Sequence, residues 1–131
     1  MTPTPSGASK LLVVDDHAGM RELFKLNMER EGFQVVEAED GVAGLAKAKT
    51  QKPQLMVIDL MMPKLNGMDM LDRMKGEGLG HIPVIVMTAY FDAYAEKQVR
   101  GRANVVDYVR KPLKFQDVAA RIRAVLTPPK R

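Results

Sequence analysis

Five short apolar runs recur along the chain, separated by stretches with helical spacing, and this alternation limits the possible folds more than any other feature. The runs are Leu11-Leu12-Val13-Val14, residues 33–38, Leu55-Met56-Val57-Ile58, Val84-Ile85-Val86-Met87 and residues 105–109. The first is continuous, as expected of a strand buried on both faces, whereas 33–38 alternates and fits an edge strand. Between the runs, Met20, Leu23, Phe24 and Met28 share one helix face, and Gly32 is placed to end that helix. Asp40-Gly41 opens a second helix with Val42, Leu45 and Ala46 inward, and Pro53 marks its end. A loop over 63–67 precedes a third stripe of Met68, Leu71 and Met74. The fourth helix, over 91–102, has the weakest stripe, Tyr94, Ala95 and Val99, and is the element expected to move or be exposed. Phe115, Val118, Ala119, Ile122, Val125 and Leu126 give the clearest periodicity.

Strand alternating with helix five times implies an α/β fold: a three-layer αβα, doubly wound parallel sheet with right-handed crossovers. The expected strand order is the flavodoxin-like 2-1-3-4-5, with ligands bound beyond the carboxyl ends of the strands. Four of those ends are polar: Asp15-Asp16, Asp59, Thr88 and Lys111-Pro112. In this order strands one and three are neighbours about 4.8 Å apart, so Asp15 and Asp16 stand beside Asp59, and Thr88 flanks Asp59 on the other side. Lys111 lies two strands away, roughly 10 Å, a gap that a lysine stem can cross.

Three clustered carboxylates repel one another, and a hard divalent cation with oxygen ligands relieves that repulsion. Mg2+ is the natural choice, because it takes few protein ligands and leaves room for a phosphoryl oxygen. Asp59 is then a nucleophile toward phosphorus, forming an acyl phosphate. Lys111 and Thr88 supply charge neutralisation and a hydrogen bond to the phosphoryl oxygens. Singly, each residue has a bland reading. Asp15-Asp16 can cap a helix, Asp59 can be a loop aspartate, Thr88 a strand-end residue and Lys111 a surface lysine; it is their coincidence at neighbouring strand ends that points to chemistry.

A chain of 131 residues is the usual size of one domain. With no cysteine, disulfides and thiolate chemistry are excluded, and His17 and His81 are the only imidazoles. His17 reads as a first-turn surface residue, and neither histidine has a spacing that suggests a phosphate donor. The ten methionines read as core filler. No apolar run approaches the roughly 20 residues of a membrane span, so a cytoplasmic protein is expected. Residues 1–9 read as a flexible leader, 10–126 as the domain, and 127–131 as a basic tail or the start of a linker. Residues 100–131 carry nine Lys/Arg against Asp107 and Asp117, a balance of +7, and the rest of the chain balances at −3. The basic third holds no aromatics beyond Tyr108 and Phe115, which weighs against direct nucleic-acid binding.

The segments LLVVDD at 11–16, DLMMPKLNGMDML at 59–71, MTAY at 87–90 and YVRKPL at 108–113 resemble a two-component response-regulator receiver domain over about residues 10–126. The resemblance implies that Asp59 accepts phosphate from a histidine kinase or histidine phosphotransfer protein, in a two-component system or phosphorelay. It implies a Mg2+ site made by Asp16 and Asp59 directly, Asp15 through water, and the backbone carbonyl of Met61. It also implies that Thr88 and Tyr108 reorient together, that Lys111-Pro112 is cis, and that partner binding switches through the face of the fourth helix, fifth strand and fifth helix. Such a domain catalyses its own phosphorylation and dephosphorylation, not turnover of a separate substrate, and a phosphorylation-dependent homodimer is compatible with it.

Two features depart from the family pattern. Asn104-Val105 replaces a usual Gly-Ala pair, with Asn suited to a left-handed position, and the interval from Thr88 to Lys111 is one residue longer than common. A shifted fourth helix and following loop are expected from this. Met61 and Tyr90, two residues beyond Asp59 and Thr88, are bulky and poorly suited to orienting an attacking water, which leads us to expect a long-lived phosphorylated form. Three alternatives fit less well. Asp15-Asp16 would repel the phosphate of a flavin carrier, and Met61 stands where an aspartyl-phosphate hydrolase of the haloacid dehalogenase type has a second acid. A phosphorylation-independent pseudo-receiver is disfavoured because every site residue is present. The segment 120–126 is similar to the end of receivers that precede DNA-binding domains, so either a stand-alone receiver or the amino-terminal piece of a longer regulator is compatible with the chain.

Overall fold

The computed structural model describes residues 8–62, 65–89 and 92–127. Each apolar run forms a strand and each stripe a helix: β1 (Lys10–Val14), α1 (Ala18–Arg30), β2 (Gln34–Ala38), α2 (Gly41–Gln51), β3 (Leu55–Asp59), α3 (Gly67–Gly76), β4 (Val84–Thr88), α4 (Ala93–Arg100), β5 (Val105–Arg110) and α5 (Phe115–Leu126). The five strands are parallel in the order β2-β1-β3-β4-β5, as expected from the alternation. Every residue of β3 and β4 is buried, because these strands are covered on both faces and paired on both edges.

Two apolar layers sandwich the sheet. One joins Leu12, Val14, Met56, Ile58 and Val86 to residues of α2, α3 and α4; the other joins Leu11, Val13, Leu55, Val57 and Ile85 to α1 and α5. Adjacent residues of one strand therefore feed opposite layers. Six of the ten methionines, Met28, Met56, Met62, Met70, Met74 and Met87, lie in these layers, consistent with their reading as filler.

Several inward faces differ from the expected stripes. In α1 Phe24 and Met28 are buried, but Leu23 is 51% exposed. In α2 the inward set is Gly41, Gly44, Leu45 and Ala48, and Val42 and Ala46 face out. Small residues make this contact: a Cβ on Gly44 would lie 2.8 Å from the Met70 Cε. In α3 Met70 takes the buried place expected of Met68. Tyr94 is 72% exposed, so Val99 alone buries α4. Phe91, Pro128 and Pro129 lie outside the described residues.

The extra residue between Thr88 and Lys111 is absorbed within β5. Val84 pairs with Val105, but the next pair is Ile85 with Asp107, so Val106 forms a bulge and is 44% exposed. Asn104 does not take the left-handed position expected of it; among the described residues only Lys52, Gly32 and Gly78 have positive φ. Asn104 instead ties the bottom of the sheet, its Nδ2 donating to the Ile82 carbonyl and its own carbonyl accepting from the Val84 amide at 2.8 Å.

Candidate functional site

The polar strand ends converge at the carboxyl edge of β1, β3 and β4. Asp15 and Asp59 are buried and Asp16 is exposed, and one carboxylate oxygen from each lies within 4.8 Å of the others. This all-oxygen cluster can hold a metal ion, and three carboxylates suit a hard divalent cation better than a soft one. Lys111 closes the site from beyond β5: its Nζ donates to Asp15 Oδ2 and Asp59 Oδ2, both at 2.9 Å. The long stem thus crosses the span that strand spacing predicts. The Lys111-Pro112 bond is cis, and the Lys111 amide donates to the Thr88 carbonyl at 2.8 Å, which joins the end of β4 to the lysine.

The electrostatics follow from burial and pairing. Loss of water raises the Asp59 carboxyl above its ordinary 3.8; hydrogen bonds from Lys111 and the Met61 amide pull it back only in part, and Asp15 adds repulsion. For Lys111, burial favours the neutral amine, but the bonds to Asp59 and Asp15 outweigh it and leave the ammonium raised above 10.5. Removing the lysine would strand two buried carboxylates without a counter-charge.

Backbone contacts fix these groups. Asp15 Oδ1 accepts from the His17 amide at 2.9 Å, and His17, not Asp15 or Asp16, is the N-cap of α1. Asp59 Oδ1 accepts from the Met61 amide at 3.1 Å. Met61 itself is 60% exposed, at the rim, whereas Tyr90 lies outside the described residues.

Two positioning contacts escape a sequence reading. Arg21 Nη1 donates to the Asp15 carbonyl at 2.6 Å and braces the β1–α1 turn. A Cβ on Gly67 would stand 2.7 Å from the Asp59 carbonyl oxygen and 2.8 Å from the Leu60 Cα, so only glycine lets α3 start against the backbone of Asp59. Asn66 caps that helix through the Asp69 amide. The Asn-Gly pair at a loop-to-helix boundary was the available signal for this close approach.

Thr88 is buried at the end of β4. Tyr108 lies in β5 opposite Val86, 7% exposed, with its ring in the layer that contains Val86 and Val99. Among the described residues its buried hydroxyl has no hydrogen-bond partner, and the Arg100 guanidinium sits 5.6 Å from the ring centroid. An unsatisfied buried hydroxyl costs about 1–3 kcal/mol. Ring burial and the cation contact favour the inward position by about 1.5–3 and about 0.5–1 kcal/mol. These opposing contributions are of similar size, so the inward ring is held by a narrow margin. Burial, followed by the charge of Glu96, pushes the Tyr108 phenol up.

The sequence pattern of the response regulator receiver domain matches residues 11–123. The chain belongs to this family. This receiver domain is 37% identical over 117 residues to the "Alkaline phosphatase synthesis transcriptional regulatory protein PhoP" of Bacillus subtilis, covering 89% of this chain and 48% of that protein. It is 35% identical to the "Probable transcriptional regulatory protein TcrX" of Mycobacterium tuberculosis, covering 88% and 49%. The chain spans about half the length of the curated relatives it matches. A response regulator receiver domain from Clostridium thermocellum superposes with a TM-score of 0.80 at 28% identity, covering 90% of this chain and 94% of that one. A response regulator receiver protein from Pseudomonas putida reaches 0.86 at 24% identity, covering 90% and 98%, a likeness of fold. The receiver domain is therefore a signalling module of two-component systems, a family in which phosphorylation and Mg2+ are typical. Among its described residues no helix is long and apolar enough to cross a membrane.

Proposed function

We propose that this receiver domain accepts a phosphoryl group on Asp59 from a histidine kinase or histidine phosphotransfer protein. The observation that carries the reading is the placement of Lys111 Nζ, 2.9 Å from both Asp15 and Asp59, the two buried members of the carboxylate cluster. Asp15, Asp16, Asp59 and the Met61 carbonyl are the groups that would hold Mg2+, which when bound supplies charge neutralisation for the carboxylates and the phosphoryl oxygens. The chain's own residues do the rest. A carboxylate oxygen of Asp59 forms the new P–O bond as the P–N bond of the donor phosphohistidine breaks, its electron pair staying on the imidazole. Lys111 exchanges one carboxylate for a transferred phosphoryl oxygen, and Thr88 follows the same group with its hydroxyl. Tyr108, coupled to Thr88 through β4 and β5, carries the change to the face of α4, β5 and α5, where a phosphorylation-dependent homodimer would form.

The domain spans residues 10–126 in this reading and works in the cytoplasm, catalysing its own phosphorylation and dephosphorylation and no turnover of a separate substrate. The two quoted relatives are named as transcriptional regulators, which favours a role as the receiver portion of such a protein. The test is intact mass after incubation with acetyl phosphate and Mg2+, beside an Asp59→Asn variant, followed by size-exclusion chromatography. One phosphoryl group on wild type and none on the variant is expected. No gain in wild type, or an equal gain in the variant, would overturn the assignment.

A further inference from the structure

We propose that Arg100 is a positioning residue that holds the Tyr108 ring against the core and so sets how often β5 presents that ring to solvent. Calling this motion a switch rests on the function proposed above; the placement of the ring does not. Arg100 is the last residue of α4, and its Nε donates to Glu96 Oε2 at 2.7 Å, which orients the guanidinium while its carbon lies 5.6 Å from the Tyr108 centroid. The Tyr108 hydroxyl makes no hydrogen bond to any of the described residues in the inward position. The attraction of the cation for the ring face is therefore the directional interaction that opposes exit of the ring, beside its apolar packing with Val86 and Val99. A planar guanidinium also covers the ring in a way an ammonium cannot.

The experiment is fluorine NMR of the full chain labelled with 3-fluorotyrosine, the Tyr108 signal being assigned with Tyr108→Phe and read by its shift between H2O and D2O. Wild type should show a small solvent shift at Tyr108 and a large one at the exposed Tyr94. In Arg100→Gln the outward population should rise about 2- to 5-fold, moving the Tyr108 shift toward that of Tyr94. Arg100→Lys should fall between the two. Lys97→Gln, an exposed change on the same helix, controls for general loosening of α4. An Arg100→Gln signal identical to wild type, or an equal movement in Lys97→Gln, would overturn the proposal. Beryllium fluoride with Mg2+ serves as a phosphoryl mimic in the second arm. A wild-type Tyr108 signal that does not respond to it would instead overturn the switch reading of Tyr108.

Discussion

β3 ends in Asp59 with all five of its residues buried and a partner strand on each side, whereas β5, which carries Tyr108, has one partner strand, a bulge and a single buried residue. The helices repeat the contrast. α3 begins against the backbone of Asp59 and Leu60 with no room for a methyl group, and α4 is eight residues long and buries Val99 alone. The phosphoryl transfer proposed for Asp59 would require groups held to within a fraction of an ångström, and the overdetermined carboxylate end suits that requirement. A conformational response requires an element with a small free-energy gap, and such elements have few buried contacts. One sheet therefore combines a fixed end and a yielding flank.

Two glycines test this contrast most strongly. Gly67→Ala drives a Cβ to 2.7 Å from the Asp59 carbonyl oxygen, a backbone atom that cannot step aside. We expect a loss of about 1–3 kcal/mol in urea denaturation, by overpacking, together with loss of phosphoryl uptake by intact mass. Gly101→Ala, at the C-cap of α4, meets nothing closer than 3.5 Å at a φ of −72°. It should gain about 0.4–1 kcal/mol by restricting the unfolded chain. Equal losses at both positions would show that the α4 flank is as tightly built as the site.

A smaller effect, dependent on pH, probes the strain at the fixed end. Because burial raises the Asp59 carboxyl above 3.8, the folded state binds this proton more tightly than the unfolded chain. Stability therefore falls as pH rises from about 3.8 to the raised value, and the penalty is complete above it. Asp59→Asn removes the charge, so in metal-free buffer the variant should unfold at higher urea than wild type at pH 7. That advantage should shrink as pH falls toward 3.8. An advantage independent of pH, or a less stable variant, would contradict buried charge as its source.

The alternation of runs and stripes was enough to order the strands, and stem length was enough to bring Lys111 to the carboxylates. These features were legible because they depend on coarse properties, hydrophobic period and reach. The inward faces of α1, α2 and α3 were less legible. In α2 the contact is made by Gly41, Gly44 and Ala48, whose fit depends on absent bulk, while the more apolar Val42 faces out. Arg21 bonds a backbone carbonyl, and Gly67 admits a neighbouring backbone; neither leaves a hydrophobic trace. The place of the extra residue was also hidden, since Val105-Val106-Asp107 offers two similar side chains for one position opposite Val84.

That bulge gives the smallest expected effect and the finest test of the contrast. Val106 is half out of the sheet, and the register on its far side, from Asp107 opposite Ile85 to Arg110 opposite Thr88, is regular. Deleting Val106 should let Val105 and Asp107 follow Val84 and Ile85 directly, with the end of β5 unmoved and the Lys111 amide still on the Thr88 carbonyl. A bulge residue is left unpaired in the ladder, so its loss should change stability by no more than about 1 kcal/mol, the range of a modest surface change. Phosphoryl uptake should match wild type. What should change is Tyr108, because a bulge increases the local twist of the strand that carries it, and its fluorine signal should shift while uptake does not. If uptake falls with the deletion, the lysine depends on the bulge, and the fixed end and the yielding flank are one mechanical unit rather than two.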